Sequence, residues 1–78
     1  MSSSGFPQEQ YTIAMEFDGS DNPIYIGKAI ADSLKSDPVW QIQRITYDGN
    51  GNPTDFKWAN GVSSFENIWN NRAALSYS

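Results

Sequence analysis

Apolar side chains alternate with small or polar ones over the first clear segment of the sequence, at Tyr11, Ile13, Met15 and Phe17. This period of two is typical of a strand with one buried face. The turn-forming run 18–23 (DGSDNP) ends that strand, and 24–29 (IYIGKA) predicts a second one. Within the second strand, Gly27 indicates either a bulge or a close backbone approach. Residues 30–38 show no clear period, which favours a connecting loop over a short helical turn.

A second pair of alternating runs spans 42–58 and flanks the loop DGNGNP. Asp-Gly and Asn-Gly steps reach positive φ at little cost and close hairpins, so this segment predicts two paired strands. If the first of these strands begins at Trp40, then Trp40 and Ile42 point to one face while Ile45 and Tyr47 point to the other. Either a bulge near Gln43 or Arg44 resets the phase, or the strand is covered on both faces.

The C-terminal region carries a helix signal. Ser63 and Glu66 have the spacing of a capping box. One helical face is indicated by the i, i+3, i+4 spacing of Phe65, Ile68 and Trp69. This pattern predicts a short helix near Phe65–Arg72, after which 74–78 (ALSYS) can add a last strand.

The elements together predict a mainly β fold, a small antiparallel β-sandwich or open barrel of about five strands with one short helix near the C-terminus. Residues 11–78 are predicted to form a single β-rich domain, and the composition of residues 1–10 predicts a flexible N-terminal arm whose one large apolar side chain is Phe6. The residues expected in the core are Ile13, Met15, Ile26, Trp40, Ile42, Trp58, Ile68 and Trp69.

Composition narrows the possible functions. A chain of 78 residues buries only roughly 60% of its unfolded surface, and this one has neither Cys nor His to add disulfides or a structural zinc. Association with copies of itself or with other chains is therefore expected to supplement the core. The net charge of −4 argues against nucleic acid as a partner. No apolar run approaches the ~20 residues of a membrane span, and the N-terminus lacks the pattern of a signal peptide.

A calcium loop is one candidate chemistry, since Asp48, Asn50 and Asn52 have D-x-N-x-N spacing. Pro53 stands where the sharp turn needs Gly, and Ala59 stands where the loop needs Glu. A hairpin loop is the better interpretation.

Catalysis finds no support in the sequence. Acidic pairs such as Asp18 with Asp21, or Asp32 with Asp37, lie in turn-forming segments where solvated Asp residues are common. Serine nucleophiles lack a His base and a G-x-S-x-G elbow. We therefore expect a protein that is not an enzyme and has no catalytic, cofactor-binding or metal site.

The three tryptophans form either a core or a platform for stacking ligands, and core is favoured because a small β domain has few other large side chains. Arg72 can pair with Glu66 or Asp48 and fix the helix to the sheet, or it can reach across an interface.

The order of motifs resembles a group of small proteins encoded by tailed bacteriophages and prophages. The motifs that carry the resemblance are Tyr25-Ile26-Gly27-x-Ala29, Trp40-Gln41-Ile42, Ile45-Thr46-Tyr47-Asp48, Gly51-Asn52, Trp58-Ala59-x-Gly61, Phe65, Ile68-Trp69-x-Asn71-Arg72-Ala73 and Tyr77-Ser78. They cover roughly Tyr25–Ser78, and IWxNRA is the most distinctive. The resemblance implies a virion setting, with no associated enzymatic activity.

The functional expectation is a non-enzymatic structural component of a tailed-phage virion, made in the host bacterial cytoplasm and attached to capsid, neck or tail. Its partners are other virion proteins and copies of itself, with neither nucleic acid nor membrane involved. The expected partner-binding residues are Phe6, Pro7, Trp69 and Arg72. The alternative is a carbohydrate- or receptor-binding module of a phage fibre or tail, which would display at least two coplanar exposed rings beside Asp or Asn.

Overall fold

The computed structural model describes residues 10–78, which form an antiparallel sheet and one short helix. The strands are β1 (Tyr11–Phe17), β2 (Pro23–Ile30), β3 (Pro38–Tyr47), β4 (Pro53–Trp58) and β5 (Asn67–Ile68). A 3-10 helix, Trp69–Ala74, follows β5 directly. The predicted class is confirmed, because the described chain is mainly β with five antiparallel strands and one short helix near the C-terminus.

The strands lie in the order β1-β2-β3-β4, and β5 pairs with the N-terminal part of β3. Residues that pair across antiparallel strands share a face of the sheet, so the register divides the side chains into two sets. One face carries the row Ala14, Gly27 and Ile42, and we call it the covered face. The opposite face carries the row Met15, Ile26, Gln43 and Trp58, and we call it the open face.

The β1–β2 and β3–β4 hairpins have the same turn, thirty positions apart. Asp18 Oδ1 accepts hydrogen bonds from the backbone N–H groups of Ser20 (2.8 Å) and Asn22 (3.0 Å). Asp48 Oδ1 accepts equivalent bonds from Asn50 (2.8 Å) and Asn52 (3.0 Å). The pairing register shifts by one residue beside each turn. Both predicted hairpins are therefore present, and they are two copies of one local structure.

The C-terminal segment covers one face of the sheet because that face has a floor of small residues. The Trp69 ring lies over Gly27, where an added Cβ would fall 2.5 Å from the ring atom Cε3. It also packs against Trp40, with ring centroids 5.8 Å apart. The floor is completed by Ala14, Ala29 and Ala59, all of which are buried. The sequence expectation of a close backbone approach at Gly27 is confirmed, and the β2 register runs through it without a bulge.

Two further contacts fix this segment to the sheet. Arg72 Nε donates to Glu16 Oε1 at 2.6 Å, which joins the 3-10 helix to β1. Tyr77 forms a bridge with Ala59, and the Ser78 backbone exchanges two hydrogen bonds with Trp58, each 3.2 Å long. The predicted last strand is thus reduced to a single bridge.

The helix prediction is partly wrong. The cap of the 3-10 helix is Ile68, with no side-chain cap hydrogen bond, so the capping box of Ser63 and Glu66 is not used. Phe65 and Trp69 do not share a face either. Phe65 stacks on Tyr11 at a centroid distance of 6.1 Å, whereas Trp69 lies across the sheet on the covered face. The chain crosses the sheet edge between them as β5, and this breaks the helical spacing.

The loop after β2 and the regularity of β3 can be compared with the sequence expectations. The segment after β2 is a loop, as predicted. The register through Gln43 and Arg44 is continuous, so β3 has no bulge there. Ile42 on one face and Ile45 on the other are 0% and 4% exposed, so β3 buries a side chain on each of its faces at these positions, as the second alternative predicts, although no second layer of the described chain covers the face that carries Ile45. Within the described part of the chain, no helix is long and apolar enough to cross a membrane.

Candidate functional site: the open face of the sheet

Large apolar side chains cover the open face and remain in contact with solvent. The exposed fractions are Ile13 55%, Met15 46%, Phe17 51%, Ile30 58% and Phe56 56%. Phe17 lies at the bulged end of β1, and the others follow the regular alternation of their strands. Among the described residues, no second layer packs on these side chains comparable to the segment on the covered face.

The expectation that Ile13 and Met15 are buried is wrong. The alternation in β1 correctly divides the strand into two faces, but the buried one carries Ala14. Because the Trp69 ring needs small side chains beneath it, the covering segment lies on the face with Ala and Gly rather than on the face with Ile and Met.

The other core predictions fall into two groups. Trp40, Ile42 and Trp69 are buried, as predicted. Ile26, Trp58 and Ile68 are only half-buried. Ile26 and Trp58 belong to the open face, where their neighbours in the sheet shield them laterally. No set of three exposed tryptophans exists to serve as a stacking platform.

Charge is nearly absent from the open face. By strand register its one described charged residue is Lys28, whose Nζ lies 4.4 Å from the centroid of the Tyr11 ring. The charged residues of the neighbouring row, Glu16, Arg44 and Lys57, belong to the covered face. The open face is therefore suited to an apolar, uncharged contact.

One end of the open face forms a shallow hollow of about 440 Å³, lined by Tyr11, Ile30, Val39 and Phe65. The loop before β5 reaches this end, where Gln41 Nε2 donates to the Ser63 carbonyl at 2.8 Å. The lining contains no carboxylate and no amide side chain. Its chemistry is that of an apolar contact with one tyrosine.

The predicted partner-binding residues have different positions. Phe6 and Pro7, like the predicted arm they belong to, lie outside the described residues. Trp69 is 3% exposed and belongs to the core. Arg72 pairs with Glu16 rather than with Glu66 or Asp48, and its guanidinium carbon lies 4.7 Å from the Trp69 ring centroid. Their contact with a partner stays a prediction, while the structure shows that Trp69 and Arg72 hold the covering segment on the sheet.

The turn acids have a structural explanation. Hydrogen bonds from the backbone N–H groups of Asn22 and then Ser20 lower the pKa of Asp18, and bonds from Asn52 and Asn50 do the same for Asp48. The D-x-N-x-N segment is thus a hairpin turn closed by its own carboxylate, as predicted. Within residues 10–78, no three His, Cys, Asp or Glu side chains are grouped closely enough to hold a metal ion.

An aromatic and cationic cluster lies at the margin of the covered face. The Arg44 guanidinium carbon is 5.2 Å from the Tyr77 ring centroid, and Tyr77 Oη donates to the Arg72 carbonyl at 2.7 Å. Burial, assisted by the nearby Tyr25, raises the pKa of Tyr77 to about 12. The Arg44 Nε is buried without a hydrogen-bond partner. These contacts brace the C-terminus against β2 and β3.

No protein-family model, curated protein or solved structure matches this chain. The strand alternation in the sequence correctly groups the residues of the open face, but it did not predict that they would be exposed. Among the features of the described chain, this face is the best candidate for a contact surface.

Proposed function

We propose that this protein is a non-enzymatic structural protein that acts through protein–protein contacts, with the open face as its contact surface. The observation that carries the proposal is the set of five large apolar side chains, each about half exposed, on one side of a single sheet. The largest apolar patch on a monomeric soluble protein is typically about 300–600 Å² and is often a functional site, and the exposed area of these side chains falls in that range.

We further propose that the setting is a tailed-phage virion, where the protein contacts other virion proteins after synthesis in the bacterial cytoplasm. The support for this setting is that the series of motifs, above all IWxNRA, resembles that of small phage and prophage proteins. In this chain that motif encodes the covering segment, because Trp69 packs on Gly27 and Arg72 pairs with Glu16. It therefore stabilises the sheet that presents the open face.

The test is quantitative mass spectrometry of purified particles from the phage or prophage that encodes the chain. We expect the protein at a fixed copy number relative to the major capsid protein. A phage carrying Met15→Glu is expected to incorporate much less of it, because a carboxylate would be buried in an apolar contact. Leu34→Glu is the control, since Leu34 is an apolar residue in the loop after β2 that is more exposed than Met15, at 65% against 46%. Absence of the wild-type protein from washed particles would contradict the virion setting.

A second candidate function is carbohydrate binding, favoured by the stacked pair of Tyr11 and Phe65, whose planes differ by 29°. Sugars stack on such rings, although sugar sites also place Asp or Asn beside them, and the hollow contains neither. Titration with host surface glycans, followed through the NMR signals of these two rings, tests this function. Saturable shifts that Phe65→Ala abolishes would support it, and no shift at millimolar glycan would exclude it.

A further inference from the structure

We propose that the occupant of the open face is a second copy of this chain, so that two sheets pack face to face as a two-layered sandwich. This inference rests on the proposed function, because it takes the open face to be a protein contact surface. It adds the identity of the first partner and the geometry of the contact.

The first argument comes from the strand pattern. A strand in which every second residue is large and apolar is typical of a sheet with one face in a core. In β1 the large residues Ile13 and Met15 lie on the exposed face, and the face that is buried within the chain carries Ala14. In β1, the face with the large apolar residues is therefore the one that no other part of the described chain covers. A second sheet supplies the missing layer.

The second argument comes from area. The exposed parts of Ile13, Met15, Phe17, Ile30 and Phe56 amount to on the order of 500 Å² per chain, against about 800 Å² per partner in a stable interface. The half-buried side chains between them, including Ile26 and Trp58, supply further area in the same plane. The face is thus close to the size that a specific dimer of a small protein requires.

The third argument comes from charge. A face that meets a copy of itself must avoid placing like charges opposite each other. The described Asp and Glu residues lie in turns, in loops or on the covered face, so no carboxylate is brought to the contact. Lys28, the single cation, lies two residues along β2 from Ile26, and its Nζ lies 4.4 Å from the centroid of the Tyr11 ring, so its charge is directed onto an aromatic ring of its own chain. The open face is consequently complementary to its own copy.

The geometry of such a dimer follows from the twist of the sheets. Two twisted sheets pack with their strands about 30° apart and about 10 Å between layers, and the two-fold axis that relates them lies between the layers, parallel to the sheets and over the middle of the open face. The middle lies between β2 and β3, in the row that contains Ile26 and Gln43. Residues of this row meet their own equivalents in the second copy.

The first experiment is sedimentation equilibrium of the full chain over a wide concentration range. We expect a reversible dimer for the wild type. Met15→Glu should raise the dissociation constant by about 100-fold or more, because each dimer would bury two carboxylates. Leu34→Glu should leave the constant unchanged. Circular dichroism shows whether each variant is folded, and Ile13→Ser provides a milder change on the same face should Met15→Glu unfold.

The second experiment uses the absence of cysteine from the chain. Gln43→Cys introduces a single thiol at the middle of the open face, and a short bismaleimide should link it to its equivalent in the second copy. Leu34→Cys should not form a linked dimer under the same conditions. Efficient linkage through Leu34→Cys and none through Gln43→Cys would overturn the geometry.

A wild type that is monomeric at every concentration would overturn the inference and would leave residues before Gln10 or a different protein as the occupant. That failure is separate from failure of the proposed function. A monomer whose incorporation into particles is reduced by Met15→Glu contradicts only the second copy. A dimer that is absent from particles contradicts only the virion setting.

Discussion

The two faces of the sheet differ in a way that their residue types alone do not suggest. The covered face has a floor of Ala and Gly and also carries charged residues at its margin, yet the Trp69 ring and the C-terminal segment pack on it. The open face carries Ile, Met and Phe and remains exposed. The comparison shows that the buried face is the one whose small residues let the large Trp69 ring pack closely, while the large apolar residues of the other face remain exposed in the described chain.

The covered face should show the largest effect on stability. Trp69→Ala removes the ring that fills the space between Gly27 and Trp40, and we expect it to lower the free energy of unfolding by about 3–5 kcal/mol. Phe56→Ala on the open face is the matched control and should cost the dilute chain less than about 1 kcal/mol, because that ring is half exposed already. Urea unfolding of both variants at low concentration measures the difference. Equal losses would contradict the assignment of the two faces.

A smaller effect is expected from Gly27→Ala. The added Cβ would meet Trp69 Cε3 at 2.5 Å and Trp40 Cε3 at 3.0 Å, so the rings must shift at a cost of about 1–3 kcal/mol. Gly19→Ala is the control, since no heavy atom lies within 4 Å of a Cβ placed there. Combining Gly27→Ala with Trp69→Leu should reduce the cost of the alanine, because the shorter side chain leaves room for it. Additive losses in the double variant would show that the clash is not with Trp69.

Tyr77→Phe tests the contacts at the margin of the covered face. Loss of the hydrogen bond to the Arg72 carbonyl should cost about 1 kcal/mol at neutral pH. The folded pKa is raised to about 12 from the ordinary value of 10.0, so the fold favours the neutral phenol. That contribution is fully present below pH 10.0 and is lost as pH rises towards 12. Ultraviolet titration should show a phenol that ionises near pH 12, and Tyr77→Phe should remove that step.

The smallest effects are expected at the two hairpin turns. Asp18→Ala and Asp48→Ala each remove a carboxylate that accepts two backbone hydrogen bonds, so each should lower the melting temperature slightly and by a similar amount. Both folded pKa values are lowered from 3.8, so the carboxylates stabilise the fold above that pH and the contribution is lost as pH falls through the lower folded values. The variants should therefore be less sensitive to acid than the wild type. Identical acid sensitivity in all three proteins would contradict this account of the turns.

The hairpins could be predicted from the sequence because their signals are local. The turn-forming runs DGSDNP and DGNGNP fix where the strands reverse, and alternation gives their period. The two runs also repeat at an offset of thirty, with Ala29 and Ala59 at equivalent, fully buried positions. This repeat is visible in the sequence alone, although it is not among the patterns that led to the predicted fold.

The choice of inner face and the C-terminal conformation could not be predicted because both depend on packing between distant residues. Nothing local to Ala14 or Gly27 indicates that a ring more than forty positions further along the chain will lie on them. Ser63 and Glu66 have the spacing of a capping box, but no helix begins there. The chain instead pairs with β3 as β5 before the 3-10 helix starts at Trp69. The sequence did contain one indication of the covered face. Gly27 lies in the middle of a predicted strand and leaves room above it for a large side chain such as Trp69.

The central claim is that the open face is exposed in the dilute chain and covered by protein contact. The most direct test is oxidation of Met15 by dilute peroxide, measured by peptide mass spectrometry at protein concentrations well below and well above the association range. We predict rapid sulfoxide formation at Met15 in the dilute protein and strong protection in the concentrated protein. Slow oxidation of Met15 even at the lowest protein concentration would contradict the exposure of the open face. If the protein associates but Met15 is oxidised at the same rate at all concentrations, the open face is not the surface that is covered.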